Sequence, residues 1–250
     1  MKFLTAIPVY NERRHLPRVL DAVRRQGHDI LVINDGSTDG THEALREVRG
    51  IHTITHPENR GYGQSLIDAF AFASERGYDW VITLDCDEQH EPAQIPEFVR
   101  AALRNDVDVV SGSRYLRSFP GDDEPPTDRR RVNQSINSLL SQIVGLDVTD
   151  SFCGFKAHRV AAVRKLQLDE PGYAFPLQFW VECVRGGLRI CELPVRRIYR
   201  DRSREFGGTL DDPAARLHHY LEVFLAALRS DTKLPRARGA LQPCRCHKDV

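Results

Sequence analysis

The segment WVITLDCDEQHEP, residues 80–92, passes directly from an apolar run into an acidic stretch. Residues 80–84 have the length and composition of a buried strand, which ends at Asp85. The same change from apolar to polar residues occurs after residues 2–9 and after residues 29–33. Ligands of open α/β sheets bind beyond the carboxyl ends of the strands. These three segments therefore predict both an α/β sheet and the edge at which its site forms.

Helical and strand-like patterns alternate through the first half of the chain. Apolar residues recur at helical spacing over residues 15–26, 63–76 and 95–104, and a shorter helix follows Ser37 or Thr38. Further strand-like runs occupy residues 51–55 and 107–111. Near-continuous apolar strands that alternate with helices predict a Rossmann-like, mainly parallel sheet with helices on both faces.

The alternation ends after Ser113. Residues 117–131 combine prolines with consecutive acidic residues and predict a mobile loop. A helix over 132–144, a late strand over 188–198 and an amphipathic helix over 217–228 follow.

We expect three regions along the chain. One domain spans residues 1–210, the amphipathic helix lies within 211–232, and residues 233–250 form a disordered tail.

The composition excludes some partners. The chain has 250 residues with 35 Lys or Arg and 35 Asp or Glu, for a formal net charge of +0. General nucleic-acid binding requires a basic excess, so we expect no nucleic-acid partner. The N-terminus lacks the pattern of a signal peptide, and no stretch approaches the ~20 apolar residues of a membrane span. We therefore expect a cytoplasmic protein, with peripheral membrane contact left open.

Acidic residues accumulate at the predicted strand ends. Glu12, Asp35, Asp85 and Asp87 would meet at one edge of the sheet. Clustered carboxylates repel each other unless a cation or strong hydrogen-bond donors neutralise them. Mg²⁺ or Mn²⁺ prefers oxygen ligands and would also bridge a diphosphate. We interpret the neighbouring His90 as orienting Asp87 or packing locally.

Five segments carry a resemblance to a known family. They are IPVYNE at 7–12, NDGSTDGT at 34–41, DCDEQHEP at 85–92, GSRY at 112–115 and DSFCGFKA at 150–157. In this order they resemble the motifs of family 2 glycosyltransferases. The third is similar to the metal-binding motif of the dolichol-phosphate mannosyltransferase branch. The resemblance covers residues 3–160 and extends more loosely to residue 210.

The resemblance implies a GT-A fold and inverting, metal-dependent transfer from a nucleoside-diphosphate sugar. The residues that it implies for donor binding are Pro8, Tyr10, Glu12, Ile33, Asp35, Asp85, Cys86, Arg114, Arg202 and Arg204. Those that it implies for catalysis are Asp87, Arg114 and Arg202, with Asp87 and Gln89 as the ligands of Mg²⁺ or Mn²⁺. The segment that contains Arg200, Arg202 and Arg204 departs from the family pattern, so the arginine that acts there is left open.

The branch implies GDP-mannose as the donor and a polyprenyl or dolichyl phosphate as the acceptor. A phosphate oxygen is already anionic near neutral pH and requires no general base, and the sequence offers no separate base for a hydroxyl acceptor. Two alternatives stay open. The chain could act on a soluble glycan or small molecule, or it could bind nucleotide sugars without catalysis.

A lipid acceptor would require contact with a membrane. The basic run at residues 129–131 and the amphipathic helix over 217–228 could lie at an anionic bilayer surface. Packing of this helix in the core, beside a solvated basic loop, is the competing interpretation and the one we favour.

Overall fold

The computed structural model describes residues 1–199 and 207–229. Within these ranges seven strands form one sheet. They are β1 (Phe3–Val9), β2 (Asp29–Asp35), β3 (His52–His56), β4 (Trp80–Thr83), β5 (Val109–Ser113), β6 (Lys156–Arg159) and β7 (Ile190–Pro194). Their order is β3-β2-β1-β4-β6-β5-β7. Strand β6 runs antiparallel to β4 and β5, and the other described pairings are parallel.

Helices cover both faces of this sheet. They are α1 (Leu16–Arg24), α2 (Thr41–Arg46), α3 (Tyr62–Glu75), α4 (Ile95–Leu103), α5 (Thr127–Leu139), α6 (Val160–Val163), α7 (Phe175–Arg185) and α8 (Pro213–Leu228). Alternate residues of β2 enter different cores: Ile30 and Val32 pack with α1 and α4, and Leu31 and Ile33 pack with α3 and α7. The period of two along a strand produces this division. The predicted mainly parallel α/β sheet is confirmed.

The prediction of a mobile loop over residues 117–131 is wrong in part. Helix α5 begins at Thr127, inside that range. Ahead of it, Asp122 accepts a hydrogen bond from the Arg197 amide at 3.2 Å, and Asp123 accepts one from the Tyr199 amide at 2.8 Å. The acidic residues that suggested a mobile loop instead join this segment to the chain beyond β7.

Helix α8 is amphipathic, as predicted, and its apolar face lies in the core. Asp212 caps its start by accepting a hydrogen bond from the Ala215 amide at 2.7 Å. Tyr220 and Phe224 are buried with residues of α5 and α7. This face is therefore not available to a membrane. No helix in the described part of the chain is long and apolar enough to cross a bilayer.

Candidate functional site

A cavity of about 900 Å³ lies at the carboxyl ends of β1, β2 and β4. Most of the predicted site residues line it, namely Pro8, Tyr10, Glu12, Asp35, Asp85, Cys86, Asp87, Gln89 and Arg114. Ile33 does not: its side chain is fully buried in the core beneath the cavity. Arg200, Arg202, Arg204 and the predicted tail at 233–250 lie outside the described residues. The predicted residues at the strand ends therefore lie around one cavity.

Hydrogen bonds between the loops after β1 and β2 shape the first wall of the cavity. Asn11 has a positive φ of 56°, and its amide donates to Ser37 at 2.9 Å. Its side-chain oxygen accepts from the Thr38 amide at 2.7 Å. The amide of Glu12 donates to Thr41 at 3.2 Å. These bonds leave the Tyr10 ring 43% exposed on the wall, where it can cover a flat base.

Asp35 ends β2 and is held by its own chain. One carboxylate oxygen accepts from the Arg60 amide at 2.8 Å, and the other accepts from the Gly61 amide at 2.9 Å. A ring nitrogen of His56 lies 2.6 Å from the first oxygen. These contacts stabilise the carboxylate in one orientation at the end of β2.

Asp85 follows β4 and is fixed from three directions. His90 Nε2 lies 3.1 Å from its Oδ2, so His90 orients Asp85 and not Asp87, which corrects one of the two roles we expected for it. The Tyr62 hydroxyl faces Asp85, and burial together with this carboxylate raises the pKa of Tyr62 well above its usual value. A Cβ on Gly154 would lie 2.4 Å from Asp85 Oδ2, so the carboxylate keeps this position only while residue 154 is glycine.

Asp87 and Gln89 are adjacent in the loop after Asp85. Asp87 Oδ1 accepts from the Gln89 amide at 3.0 Å, and both residues line the cavity. Among the described residues no three His, Cys, Asp or Glu side chains are grouped to hold a metal ion. The four carboxylates expected around one cation are therefore not arranged as a cage. A carboxylate with an amide oxygen still suits Mg²⁺ or Mn²⁺, which commonly take most of their ligands from water and substrate phosphates.

Arg114 lies in the cavity wall but is extensively paired. Its Nε and Nη2 donate to the two oxygens of Asp150 at 2.7 and 2.9 Å. Its Nη1 donates to the Tyr199 hydroxyl at 3.1 Å, and Asn133 also donates to Asp150 at 2.7 Å. Burial alone would raise the pKa of Asp150, but the guanidinium charge outweighs it and lowers that pKa. The resemblance implies Arg114 in donor binding and catalysis, and in this structure its side chain is held by Asp150.

Two basic residues of β6 line the floor of the cavity, and sequence reasoning missed both as site residues. Lys156 Nζ donates to the Cys153 carbonyl, and burial lowers the pKa of this lysine. Burial, followed by the nearby Lys156 charge, lowers the pKa of His158 to about 3, so the ring is neutral. The available signal was in the sequence: Lys156 belongs to the segment at 150–157, and His158 follows it at the spacing of two that puts both side chains on one face of a strand.

The remaining wall comes from α5, α7 and α8. Arg129, Arg216 and His219 line it together with the aromatic residues Phe152, Tyr173 and Tyr220. Arg216 is 3% exposed and donates to the Leu210 carbonyl at 3.0 Å and to Asp128 at 2.6 Å. The rings of Phe152 and Tyr220 stack with centroids 5.0 Å apart. Cationic and aromatic groups therefore share the part of the cavity to which α8 contributes.

The sequence of this chain is similar to those of known glycosyltransferases. The model of the family described as "Glycosyl transferase family 2" matches residues 5–167. The chain is 32% identical over 227 residues to an undecaprenyl-phosphate mannosyltransferase of Micrococcus luteus, with 85% of this chain and 90% of that protein covered. It is 26% identical to a UDP-N-acetylglucosamine–dolichyl-phosphate N-acetylglucosaminyltransferase of Methanococcus voltae, with 80% and 87% covered.

A solved structure shares the fold. The crystal structure of S. aureus TarS 1-349 in complex with UDP-GlcNAc superimposes with a TM-score of 0.62 at 14% identity, over 95% of this chain and 69% of that one. The chain covers 56% of a second structure of the same TarS fragment. At this identity the likeness shows the fold alone, which is the predicted GT-A arrangement.

Proposed function

The chain belongs to glycosyl transferase family 2, and from that premise we propose that it transfers a sugar from a nucleoside-diphosphate sugar to a polyprenyl phosphate. We propose GDP-mannose as the donor. A mannosyltransferase of an undecaprenyl phosphate and an N-acetylglucosaminyltransferase of a dolichyl phosphate are both among the relatives. They differ in sugar and share the polyprenyl-phosphate acceptor, which supports that class of acceptor more strongly than any one sugar.

One observation carries the proposal: carboxylate, cationic and aromatic side chains line the same cavity. Asp85 and Asp87 lie at the strand ends, and Arg129 and Arg216 belong to the helices. A sugar diphosphate and a lipid phosphate are both anionic, so a site that brings them together must supply positive charge. Phe152 and Tyr220 offer apolar surface suited to the first isoprene units.

The residues of the chain would divide the work of transfer. Tyr10 and Asp35 would hold the nucleoside, and Asp85 would contact the sugar-proximal part of the donor. Asp87 and Gln89 would hold Mg²⁺ or Mn²⁺, which supplies neutralising charge for the departing diphosphate. The attacking phosphate oxygen carries its own negative charge, so no side chain has to remove a proton.

The acceptor requires that the protein meet a membrane, and we propose peripheral contact near the cavity. The core-packed face of α8 cannot provide it, but Arg131 on α5 and Leu225 on α8 are exposed. An anionic bilayer would attract the former and take up the latter.

A transfer assay tests the proposal directly. Radiolabelled GDP-mannose, UDP-glucose and UDP-GlcNAc are each incubated with undecaprenyl phosphate in detergent and Mg²⁺ or Mn²⁺. We expect butanol-extractable label from GDP-mannose that disappears on addition of a chelator. The Asp87→Ala variant should lose about 100-fold in rate, and Asp106→Ala, an exposed control, should not. Label that passes to a soluble glycan supplied in a parallel incubation, but not to the lipid, would refute the acceptor.

A further inference from the structure

His56, the last residue of β3, lies between two carboxylates just behind the cavity wall. Its Nδ1 is 2.6 Å from Asp35 Oδ1, and its Nε2 is 2.8 Å from Asp68 Oδ2. The side chain is 4% exposed. Asp35 lines the cavity, whereas His56 and Asp68 do not. Each ring nitrogen therefore lies within hydrogen-bond distance of a carboxylate oxygen, one on the cavity wall and one behind it.

The bond from His56 restrains the rotation of the Asp35 carboxylate. Asp35 also accepts from the amides of Arg60 and Gly61, which form the turn into α3. The turn is closely packed at Gly61. This residue has a φ of +102°, and an added Cβ would lie 2.3 Å from the Pro171 carbonyl oxygen. Hydrogen bonds to an ionised group are stronger than those between neutral groups, and burial strengthens them further. His56 therefore fixes which way a cavity-facing carboxylate points.

The other nitrogen of His56 is anchored on α3. Asp68 accepts from Gln64 Nε2 at 2.9 Å in addition to the bond with His56. The same helix begins at Tyr62, which lines the cavity and whose hydroxyl faces Asp85. The ring thus connects β3 to a helix that already carries one contact to the site.

We propose that His56 is a positioning residue for donor binding, which orients Asp35 toward the nucleoside of the sugar donor from outside the cavity. The proposal rests on the proposed function, because Asp35 receives its role as a nucleoside ligand there. Its effect falls on binding and not on the transfer step, since His56 is separated from the reacting atoms by Asp35.

Three substitutions separate the two bonds of His56. The amide nitrogen of asparagine approximates Nδ1, so His56→Asn keeps a donor to Asp35. The amide nitrogen of glutamine approximates Nε2, so His56→Gln keeps a donor to Asp68, and His56→Leu removes both. His52→Gln is the matched control, because His52 lies on the same strand and packs against Phe72.

Steady-state kinetics with the sugar donor, and titration of GDP and UDP in Mg²⁺, are the measurements. We expect His56→Gln and His56→Leu to raise the donor KM and the nucleotide Kd about tenfold, with kcat changed less than about threefold. His56→Asn and His52→Gln should stay within about threefold of the wild type for both constants.

The outcomes distinguish this inference from the proposed function. A wild-type protein that binds neither nucleotide would overturn the proposed function and the inference with it. Wild-type nucleotide binding with unchanged affinity in His56→Gln would overturn the inference alone, because the bond to Asp68 would then suffice. A fall in kcat at constant KM would also overturn it. If His56→Leu does not fold, the comparison of the Asn and Gln variants still decides.

Discussion

Arg114 and Asp150 form a bidentate ion pair at the cavity wall, with Nε–Oδ2 and Nη2–Oδ1 distances of 2.7 and 2.9 Å. The carboxylate is fully buried, and the Arg114 amide also donates to it at 3.1 Å. The backbone beside Asp150 is itself held, since the amides of Thr149 and Asp150 donate to Glu192. Asp150 therefore orients Arg114, which the resemblance implies in donor binding, and the buried Glu192 holds the backbone around Asp150.

Asp150→Asn should destabilise the protein by about 3 kcal/mol, because removal of one partner leaves the guanidinium of Arg114 buried without a counter-charge. Chemical denaturation measures the change in the free energy of unfolding. Asp147→Asn is the control, since Asp147 is exposed on the same loop, and it should change stability by less than about 0.5 kcal/mol. Equal small effects of the two substitutions would show that the pair contributes no net stability.

The strand ends were predictable from sequence, but this pairing was not. Asp35 and Asp85 follow apolar runs, which is a local pattern, and the parallel sheet then brings their side chains to one edge. Arg114 and Asp150 are 36 residues apart, and their contact depends on how distant segments meet. The motif segments located both residues without indicating that they pair.

Strand β6 and helix α7 were missed for different physical reasons. The sequence of β6, KAHR, is short and carries charge, and it becomes a strand through antiparallel pairing with β4 and β5. Most residues of helix α7 are buried, including Phe179, Trp180 and Cys183. The helix therefore lacks the polar face that marks an amphipathic helix. Tertiary contacts, which a single sequence does not display, define both elements.

Glu192 should make stability depend on pH. Burial, against the hydrogen bonds from Thr149, raises the pKa of Glu192 from 4.5 to about 7. The folded protein then binds a proton between these values that the unfolded chain does not, so this contribution to stability is present at low pH and lost as pH rises through 7. Between pH 5 and pH 8 the wild type should lose about 2 kcal/mol relative to Glu192→Gln.

Urea titrations at several pH values, run in parallel on the two proteins, measure that difference. Glu75→Gln, at an exposed position near the end of α3, is the control and should leave the pH dependence of the wild type unchanged. A difference between wild type and Glu192→Gln that stays constant from pH 5 to pH 8 would mean that Glu192 is ionised throughout.

Gly154→Ala should impair donor binding without unfolding the protein. The new Cβ would lie 2.4 and 2.8 Å from the two Asp85 oxygens, so the carboxylate must move. A shift of about 1 Å at a reacting centre costs about 100-fold in rate, and we expect a loss of that order in kcat/KM. Gly77→Ala is the control: its Cβ meets open space at a φ of +68°, so it should cost about 1 kcal/mol of stability and no activity.

Tyr62→Phe tests whether the hydroxyl beside Asp85 serves the reaction. The substitution keeps the ring, which stacks on Tyr173 with centroids 6.0 Å apart, and removes the hydroxyl that faces Asp85. Without that donor the carboxylate can rotate, so kcat/KM should fall about tenfold, while the free energy of unfolding changes by about 1 kcal/mol.

Tyr78→Phe is the matched control, because its hydroxyl donates to Asp29 at 2.8 Å and does not line the cavity. It should cost a similar ~1 kcal/mol in the free energy of unfolding and leave kcat/KM within about twofold of the wild type. The two substitutions each remove a tyrosine hydroxyl beside a carboxylate. A loss of activity in Tyr62→Phe alone would therefore be specific to Asp85. If both variants lose activity in proportion to stability, the Tyr62 hydroxyl supports the fold and does not orient Asp85 for the donor.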